Sequence, residues 1–457
     1  MKMAAIGCCA WLFAAAAWAA PSEPDSEALR NWPHWRGPLA NGVAPLAHPP
    51  TQWDENTNIK WKAKIPGDST ATPIVWGDQI FLITSVKTDR EMEVAPPAAD
   101  APKARFNIKP PANYYQFIVM SVDRKSGQTR WQHIAKEEVP HEGHHPDGSY
   151  ASASPTTDGK HLYVSFGSRG VYCYDLDGHQ KWSRDLGRMT IMNRFGEGSS
   201  PVIFGDSVIV NWDHEKGSFL TSLDAATGET RWKIDRDEAT TWATPLLVEY
   251  QGHTQVIING SRRVRSYDAT TGELIWACGG QGPSAIPCPV TDGKLTFAMT
   301  GFIINSLYAI PLDSVGDITR DKEKIAWKRN QGTPYVPSPL LYGDLLYFTA
   351  GNKGILSCLN AQTGEPLIER QRLQGIDNVY ASPVGADNRI YITSREGTTV
   401  VIERGAVEKP EGEEKGSGKP VILATNKLDD RFDGSPAVVG DEIFLRGREH
   451  LYCISGK

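Results

Sequence analysis

One short pattern recurs eight times along the chain. A small residue precedes a proline, a short apolar segment follows, and in most copies a Gly-Asp or Asp-Gly turn leads to a second apolar segment. Successive prolines are separated by 82, 46, 44, 44, 50, 44 and 53 residues. Apart from the first, these intervals match the roughly 40–50 residues of one four-stranded propeller blade. The pattern predicts eight blades, marked by Pro73, Pro155, Pro201, Pro245, Pro289, Pro339, Pro383 and Pro436.

A second hairpin follows in several copies and ends in a tryptophan. Trp131, Trp232 and Trp276 stand at the same distance from the Asp of an Asp-x-x-Ser/Thr-Gly turn, and Trp182 follows a turn that is one residue shorter. Gly accepts the positive φ of such a turn, while Asp and Thr hydrogen-bond nearby backbone groups. A tryptophan at a fixed place on the outer strand is predicted to pack against the neighbouring blade.

The two ends of the chain complement each other. After Pro436 the sequence has room for only two strands, whereas residues 58–66 supply an additional strand before the first copy of the pattern. We expect this N-terminal strand to complete the last blade, because pairing the two ends removes exposed sheet edges. The predicted fold is all-β, a single eight-bladed β-propeller of four-stranded antiparallel blades over residues 58–457.

Residues 20–57 precede the propeller and are predicted to be an extension that packs on it. The segment NWPHWRGPLANGV contains Trp32, Trp35 and Arg36. We expect these three side chains to cover or plug the ring, since large aromatic groups favour burial.

Together, the Asp-x-x-Thr-Gly-x-x-x-Trp repeats and the Ser-Pro-apolar-Gly-Asp strands resemble the PQQ-like, or quinoprotein-type, eight-bladed β-propeller family. The resemblance covers nearly all of the chain after residue 19. It implies two functional classes, since the family includes both PQQ-dependent dehydrogenases and non-catalytic scaffolds such as BamB-type outer-membrane assembly lipoproteins. The fold alone does not choose between them.

The first 19 residues resemble a secretory signal peptide. Lys2 is followed by an apolar run that ends in Ala17-Trp18-Ala19, which predicts cleavage near Ala19 and a periplasmic or secreted protein. No segment approaches the roughly 20 apolar residues of a transmembrane helix. Removing residues 1–19 leaves a net charge of −7, which disfavours nucleic acid as a partner. We expect a monomer.

Five cysteines follow the predicted signal peptide, so at least one thiol must stay free within a monomer. Cys173, Cys358 and Cys453 occupy matching positions of the repeat, which predicts small buried side chains. Cys278 and Cys288 enclose a Gly/Pro-rich segment, and the sequence leaves open whether they form a disulfide.

Segments that enter the innermost strands are expected to meet at one mouth of the central channel. They carry aromatic and acidic side chains that would line this mouth, namely Tyr150, Glu197, Trp242, Tyr335, Tyr380 and Asp433.

Loops after the second strand of each blade carry a cation at nearly the same point of the repeat. A ring of cations in one concave mouth would favour a small anionic ligand. The alternative is that these residues are exposed loop tips that serve solubility. The predicted ligand-binding set comprises Arg169, Lys216, Arg262 or Arg263, Lys353, Arg395 and Arg448, together with Trp242 and Tyr380.

A histidine-rich segment, HEGHHPDGSY, stands just before the second blade. His141, His144 and His145 are weak candidates for metal ligands, because the Gly/Pro-rich loop lacks the helical spacing that places two ligands on one face. A solvated loop is the alternative.

The leading functional hypothesis is a binding or scaffold propeller whose mouth accepts a small anionic ligand, a glycan or an envelope polypeptide. The resemblance also implies a PQQ-dependent dehydrogenase with Ca²⁺, but no adjacent cysteine pair follows the signal peptide, and no calcium-binding Asn/Asp pair can be mapped. A carbohydrate-active lyase or hydrolase is a further alternative. Candidate catalytic residues are Tyr150, Glu197, Asp213 and His214.

Overall fold

Each of the eight marker prolines stands immediately before the first strand of an antiparallel sheet. The computed structural model describes residues 27–93, 106, 108–408 and 416–456. The predicted signal peptide and its cleavage site lie outside these residues. The first strands of neighbouring sheets contact one another and surround a common axis. The predicted all-β fold with eight four-stranded blades is therefore confirmed.

In each blade the first strand named is nearest the axis and the last is outermost. Blade 1 contains Ile74–Trp76, Gln79–Glu91, Asn113–Asp123 and Thr129–Glu138, and blade 2 contains Thr156–Thr157, His161–Ser165, Val171–Asp175 and Gln180–Arg184. Blade 3 contains Val202–Phe204, Ser207–Trp212, Phe219–Asp224 and Thr230–Asp235, and blade 4 contains Leu246–Tyr250, His253–Asn259, Arg263–Asp268 and Leu274–Gly279. Blade 5 contains Val290–Thr291, Leu295–Thr300, Ser306–Pro311 and Trp327–Arg329, and blade 6 contains Leu340–Tyr342, Leu345–Thr349, Ile355–Asn360 and Pro366–Arg372. Blade 7 contains Val384–Ala386, Arg389–Thr393, Thr398–Glu408 and Lys419–Lys427, and blade 8 contains Ala437–Val439, Glu442–Arg446, His450–Ser455 and Ile59–Lys64.

Short elements supplement the blades. Val43–Ala44 adds a parallel strand to the inner edge of blade 7, and Gly316–Asp317 adds one to the outer edge of blade 4. In the part of the chain that the structure describes, single-turn 3₁₀ helices occur at Ala28–Arg30, Gly167–Arg169, Met192–Arg194 and Lys322–Lys324. Within the described residues, no helix has the length and apolar character needed to cross a membrane.

The N-terminal strand closes the ring, as predicted. Ile59–Lys64 pairs antiparallel with His450–Ser455, and Trp61 lies opposite Cys453 in this register. The last blade consists of three strands from the end of the chain and one from its beginning. The expectation of only two strands after Pro436 was wrong, because Ala437–Val439, Glu442–Arg446 and His450–Ser455 are short and are joined by tight turns.

Tryptophans of the outer strands pack against the next blade, as predicted, and in most cases they lie on its tight turn. The ring of Trp61 in blade 8 covers Gly127 in blade 1, where a Cβ atom would lie 2.7 Å from the indole. Gly127 also has a φ of +74°, so both the turn and the close approach require glycine. The same contact joins Trp131 to Gly178, Trp182 to Gly228, Trp232 to Gly272 and Trp327 to Gly364. Trp276 instead lies in a buried cluster with Ile310 and Leu312 of blade 5 and donates to Gln255 of its own blade.

The small residue before each proline forms a closed ring of hydrogen bonds around the axis. In every blade its backbone N–H donates to the side-chain oxygen or sulfur of the equivalent residue in the next blade, at 2.8–3.0 Å. The eight members are Thr72, Ser154, Ser200, Thr244, Cys288, Ser338, Ser382 and Ser435. We call this set the axial ring. It explains why a small polar side chain recurs at this position of the sequence pattern.

Removing one acceptor of the axial ring is expected to destabilise the protein measurably. Ser382→Ala leaves the buried N–H of Ser338 without a partner, which costs about 1–3 kcal/mol. Cys288→Ser retains an acceptor for Thr244 and serves as the matched control. Urea unfolding monitored by tryptophan fluorescence measures both effects. Equal stability of Ser382→Ala and the parent would contradict the role of the ring.

The N-terminal extension contacts the inner part of three blades. Trp32 is buried and exchanges backbone hydrogen bonds with Val75 of blade 1. The buried guanidinium of Arg36 donates to the carbonyl oxygens of Pro339 and Pro383, at 2.8 and 3.1 Å. Arg36 thereby joins the extension to blades 6 and 7. Closure of the channel by this segment stays a prediction.

Candidate functional site

A cavity of about 290 Å³ lies on the propeller axis, and we call it the axial chamber. Trp35, Thr244 and Cys288 line both this chamber and a second cavity of about 540 Å³ beside His34 and Arg36. The chamber is lined by seven members of the axial ring and by five aromatic side chains. These residues are Thr72, Ser154, Ser200, Thr244, Cys288, Ser382 and Ser435, and Trp35, Phe195, Trp242, Tyr335 and Tyr380.

Asp147 ties the loop before blade 2 to the far side of the channel mouth. Its carboxylate lies 2.9 Å from Arg395 Nη1 and 3.0 Å from Arg431 Nη2, and it accepts a hydrogen bond from Tyr380 Oη at 3.1 Å. Because these partners belong to the loops of blades 7 and 8, the loop around Asp147 crosses the mouth.

Asp433 contacts the same two arginines as Asp147. It lies 2.5 Å from Arg395 Nε and 3.1 Å from Arg431 Nε, so two carboxylates share two guanidinium groups. Burial raises the pKa of Asp433 to about 6, although Arg395 acts in the opposite direction. The guanidinium of Arg395 also lies 4.0 Å from the centre of the Tyr380 ring.

Glu197 occupies another wall of the chamber and binds groups of blade 2. Its carboxylate accepts hydrogen bonds from the backbone N–H and the hydroxyl of Ser168, both at 2.6 Å, and from Arg169 Nη1 at 3.0 Å. The Arg169 side chain is only 4% exposed and also lies 3.4 Å from Glu138. Arg169 is therefore held by two carboxylates.

The predicted cations do not converge on a common cavity. Arg169 and Arg395 are buried in ion pairs, Arg448 lies 3.7 Å from Asp68 with 41% of its side chain exposed, and Arg262 and Lys353 are exposed. None of these residues lines the axial chamber, and the chamber lining contains no lysine or arginine among the described residues. The anion site stays a prediction that this placement does not support.

The candidate catalytic residues are also dispersed. Glu197 lines the chamber, whereas the hydroxyl of Tyr150 donates to the Glu142 carbonyl at 3.1 Å, and burial raises the pKa of Tyr150. Asp213 is fully buried against Arg236, 2.7 Å away. His214 Nδ1 accepts the N–H of Thr190, and burial lowers the pKa of this imidazole. Tyr150 and Glu197 both line a small cavity of about 20 Å³ that shares Glu197 with the chamber, whereas Asp213 and His214 are not part of that lining.

The three histidines of the loop make separate contacts. His141 Nε2 lies 2.7 Å from the Met189 carbonyl, while His144 and His145 pack edge-on against Tyr150 and Phe195. The described part of the chain contains no group of three or more His, Cys, Asp or Glu side chains arranged to hold a metal ion.

All five described cysteines are buried and free, so Cys278 and Cys288 do not form a disulfide in this structure. Burial raises the pKa of both thiols to about 11. Cys288 instead serves as the sulfur-containing member of the axial ring.

Sequence reasoning missed Asp147 and Arg431 as parts of the mouth. Asp147 lies within the histidine-rich segment HEGHHPDGSY, where nothing indicates a partner across the ring, and no feature of the repeat singles out Arg431. Their separation of 284 residues hides the ion pair until the ring is closed.

The family described as outer membrane protein assembly factor BamB matches residues 116–369 and 220–457. These overlapping matches together span most of the sequence. The chain belongs to this family. The resemblance predicted from the repeats is thereby confirmed, although membership in the BamB family does not by itself assign a binding site.

Solved structures with the same fold fall into both functional classes. BamB from Moraxella catarrhalis has a TM-score of 0.52 at 16% identity and covers 81% of this chain and 99% of its own. Quinohemoprotein alcohol dehydrogenase from Comamonas testosteroni has a TM-score of 0.62 at 11% identity, with coverages of 96% and 83%. A europium-containing methanol dehydrogenase has a TM-score of 0.57 at 10% identity, with coverages of 92% and 90%. At these identities the likeness shows the fold alone. No curated protein matches the sequence.

The chamber residues do not fit a PQQ cofactor with a bound cation. Trp242 provides an aromatic face, but the lining presents the carboxylates of Asp147, Glu197 and Asp433 and, among the described residues, no lysine or arginine to pair with an acidic quinone. Both Glu197 oxygens already accept hydrogen bonds, and no three-ligand metal cluster occurs in the described residues. We therefore derive no redox step for this BamB-family chain.

Proposed function

We propose that this BamB-family propeller is a scaffold that binds a polypeptide at its channel mouth through an exposed apolar tip. The tip consists of Phe302, Ile303 and Ile304 in the loop after the second strand of blade 5. Their exposed fractions are 36%, 74% and 47%. This apolar tip is the observation that supports the proposal.

The backbone holds Ile303 outward at an energetic cost. Ile303 has a φ of +62°, a region in which a β-branched residue is strained by about 1–3 kcal/mol. Phe302 stacks on Tyr335, with the ring centres 4.8 Å apart and an angle of 23° between the planes. The tip therefore rests on an aromatic base that is part of the chamber wall. Strained, exposed apolar residues on a firm base are typical of binding surfaces.

The surroundings of the tip are polar, as in the rim of a protein–protein interface. At the equivalent position of the other blades, Lys216, Arg262 and Lys353 are exposed and Arg448 is partly exposed, whereas Arg169 and Arg395 are buried in ion pairs. Blade 5 thus presents an apolar tip where blades 3, 4, 6 and 8 present cations. A polypeptide segment with apolar side chains matches this arrangement better than a small anion does.

We further propose that the protein acts outside the cytoplasm, in the periplasm or after secretion. The signal-like first 19 residues motivate this proposal, and the family description, which names an outer membrane assembly factor, agrees with it.

Replacing Ile303 by Asp is expected to weaken peptide binding by roughly 10- to 100-fold. Burying an Ile side chain contributes about 1.5–3 kcal/mol, and the introduced carboxylate opposes burial. Peptides would be selected from a displayed random library on the purified protein, and their affinities measured by fluorescence polarisation. Folding should be retained, because Ile303 packs little and its φ is strained.

Val315→Asp is the matched control. Val315 is 70% exposed, in the loop at the other end of the blade 5 strands, where Leu312 bonds to Lys294. We expect this variant to retain the parental affinity. Selected peptides that bind Ile303→Asp as tightly as the parent, or that lose affinity equally in both variants, would refute the apolar tip as the binding surface.

A further inference from the structure

The axial chamber combines aromatic faces with polar groups that have unused hydrogen-bonding capacity. Its volume of about 290 Å³ is near the lower end of the roughly 300–1,000 Å³ of small-molecule sites, which suits a ligand of about one ring. Trp242, whose Nε1 donates to the Gly196 carbonyl at 2.7 Å, is held in a defined orientation on one wall. Tyr335 and Tyr380 contribute further aromatic surface.

Each carboxylate of the chamber wall is paired with at least one arginine. The three carboxylates are those of Asp147, Glu197 and Asp433, and their arginines lie behind the wall. An anionic ligand would therefore meet carboxylates, while a cationic ligand would find these acids already neutralised. A neutral ligand avoids both the repulsion that an anion meets and the uncompensated desolvation of a cation, because it carries no charge.

Axial-ring hydroxyls supply donors for such a ligand. Each hydroxyl oxygen accepts an N–H from the neighbouring blade, but the described residues offer no acceptor to the hydroxyl hydrogen. The members concerned are Thr72, Ser154, Ser200, Thr244, Ser382 and Ser435, all of which line the chamber. Their buried hydroxyl groups need acceptors, since a buried donor without a partner is unfavourable.

The carboxylates supply the complementary acceptors. Asp147 Oδ2 accepts one hydrogen bond, from Tyr380, and Glu197 Oε2 accepts one, from the Ser168 N–H, so each oxygen retains a lone pair for a hydroxyl donor of the ligand. Donors around the axis, acceptors at the mouth and aromatic faces between them match a molecule with many hydroxyl groups on an apolar ring.

From this arrangement we infer that the axial chamber binds a small neutral polyhydroxylated molecule of the size of one sugar ring. This site is separate from the proposed polypeptide surface, because Ile303 lies outside the chamber lining. The inference concerns binding only and includes no chemical step.

Probes with one carbon skeleton and different charges test the ligand class. The full chain would be titrated with D-glucose, D-glucuronate and D-glucosamine while tryptophan fluorescence and calorimetry are recorded, with galactose, mannose, xylose and myo-inositol as further neutral probes. We expect at least one neutral probe to saturate with a Kd below about 10 mM and the charged analogues to bind about tenfold more weakly or worse. No neutral probe below that limit, or tighter binding of glucuronate, would overturn the inference.

Three variants test whether the neutral probe binds in the axial chamber. Trp242→Ala removes an aromatic face and is expected to weaken neutral-probe binding at least about tenfold. Gly198→Leu adds a side chain at a chamber position whose Cβ would lie 3.2 Å from Trp242, and should block binding without removing a hydrogen bond. Trp76→Ala, in the second cavity, is the matched control and should bind like the parent.

Each variant is read together with its unfolding temperature and its affinity for a selected peptide. Retained peptide binding with lost sugar binding in Gly198→Leu supports the chamber site. Loss of sugar binding in Ile303→Asp instead of Gly198→Leu would refute it. Failure of the peptide experiment alone leaves these measurements unaffected, so the two proposals can fail separately.

Discussion

Deleting residues 20–64 is expected to abolish cooperative folding of the propeller. The deletion removes Ile59–Lys64, the strand that completes blade 8, and leaves His450–Ser455 as an unpaired edge. It also removes Trp61, whose ring covers Gly127 and whose Nε1 donates to the Arg124 carbonyl at 3.0 Å. Loss of a packed tryptophan costs about 3–5 kcal/mol, a large share of the roughly 5–15 kcal/mol of net stability of a folded domain.

A circular permutant separates ring closure from the mere loss of residues. In this variant the chain begins at residue 65 and residues 20–64 follow Lys457. All residues of the closing strand are retained, so it can pair with His450–Ser455 in the parental register, in which the Ser455 N–H donates to the Asn58 carbonyl at 2.9 Å. We expect the permutant to unfold cooperatively near the parental temperature, while the truncated chain shows no cooperative transition in circular dichroism. A truncated chain that melts within a few degrees of the parent would contradict closure by this strand.

Replacing Asp213 by Leu is expected to destabilise the protein by about 3–5 kcal/mol, because it leaves a buried guanidinium without its counterion. Asp213 and Arg236 have 0% exposed side chains, and their ion pair joins the mouth-side loop of blade 3 to the segment that leads to blade 4. Two Arg236 nitrogens contact the Asp213 carboxylate, at 2.7 and 3.0 Å, and the Thr241 hydroxyl donates to it at 2.8 Å.

Two further variants test whether the lost stability of Asp213→Leu comes from the unpaired charge of Arg236. Asp213→Leu combined with Arg236→Leu should recover much of the stability, because no charge is then buried alone. Asp206→Ala breaks an exposed pair with Arg231 in the same blade and should cost less than about 1 kcal/mol. Urea unfolding gives all values. A loss below about 1 kcal/mol in Asp213→Leu would return Asp213 to consideration as a functional rather than a structural carboxylate.

The sequence was sufficient for the architecture because the determinants of a blade are local and repeated. The small polar residue and proline at Ser382 and Pro383, for example, mark an inner strand whose neighbours obey the same rule. Residues 58–66 likewise indicated the closing strand, because they precede the first copy of the pattern and the last copy lacks a full set of strands. The repeat did not reveal the axial ring as a hydrogen-bonded circle, because its bonds join residues 44 or more positions apart.

Mouth residues were only partly predictable. Glu197, Trp242 and Tyr380 do line one chamber, as the segments entering the inner strands suggested. The cations of the following loops were expected to face the same space, but Arg169 and Arg395 turn towards carboxylates. A repeat position fixes where a backbone lies around the axis, whereas the direction of a long side chain depends on which charges lie nearby.

By itself, the sequence determined the number of blades, their strand order and the way the ends close, since these follow from local patterns repeated at a nearly constant interval. Only the tertiary structure decided which charges neutralise one another, as in the contacts of Asp147 with Arg395 and Arg431, and which apolar residues stay exposed, as at Ile303. The physical reason is that ion pairing and burial depend on distances between blades that are remote in the chain, and those distances exist only once the ring is closed.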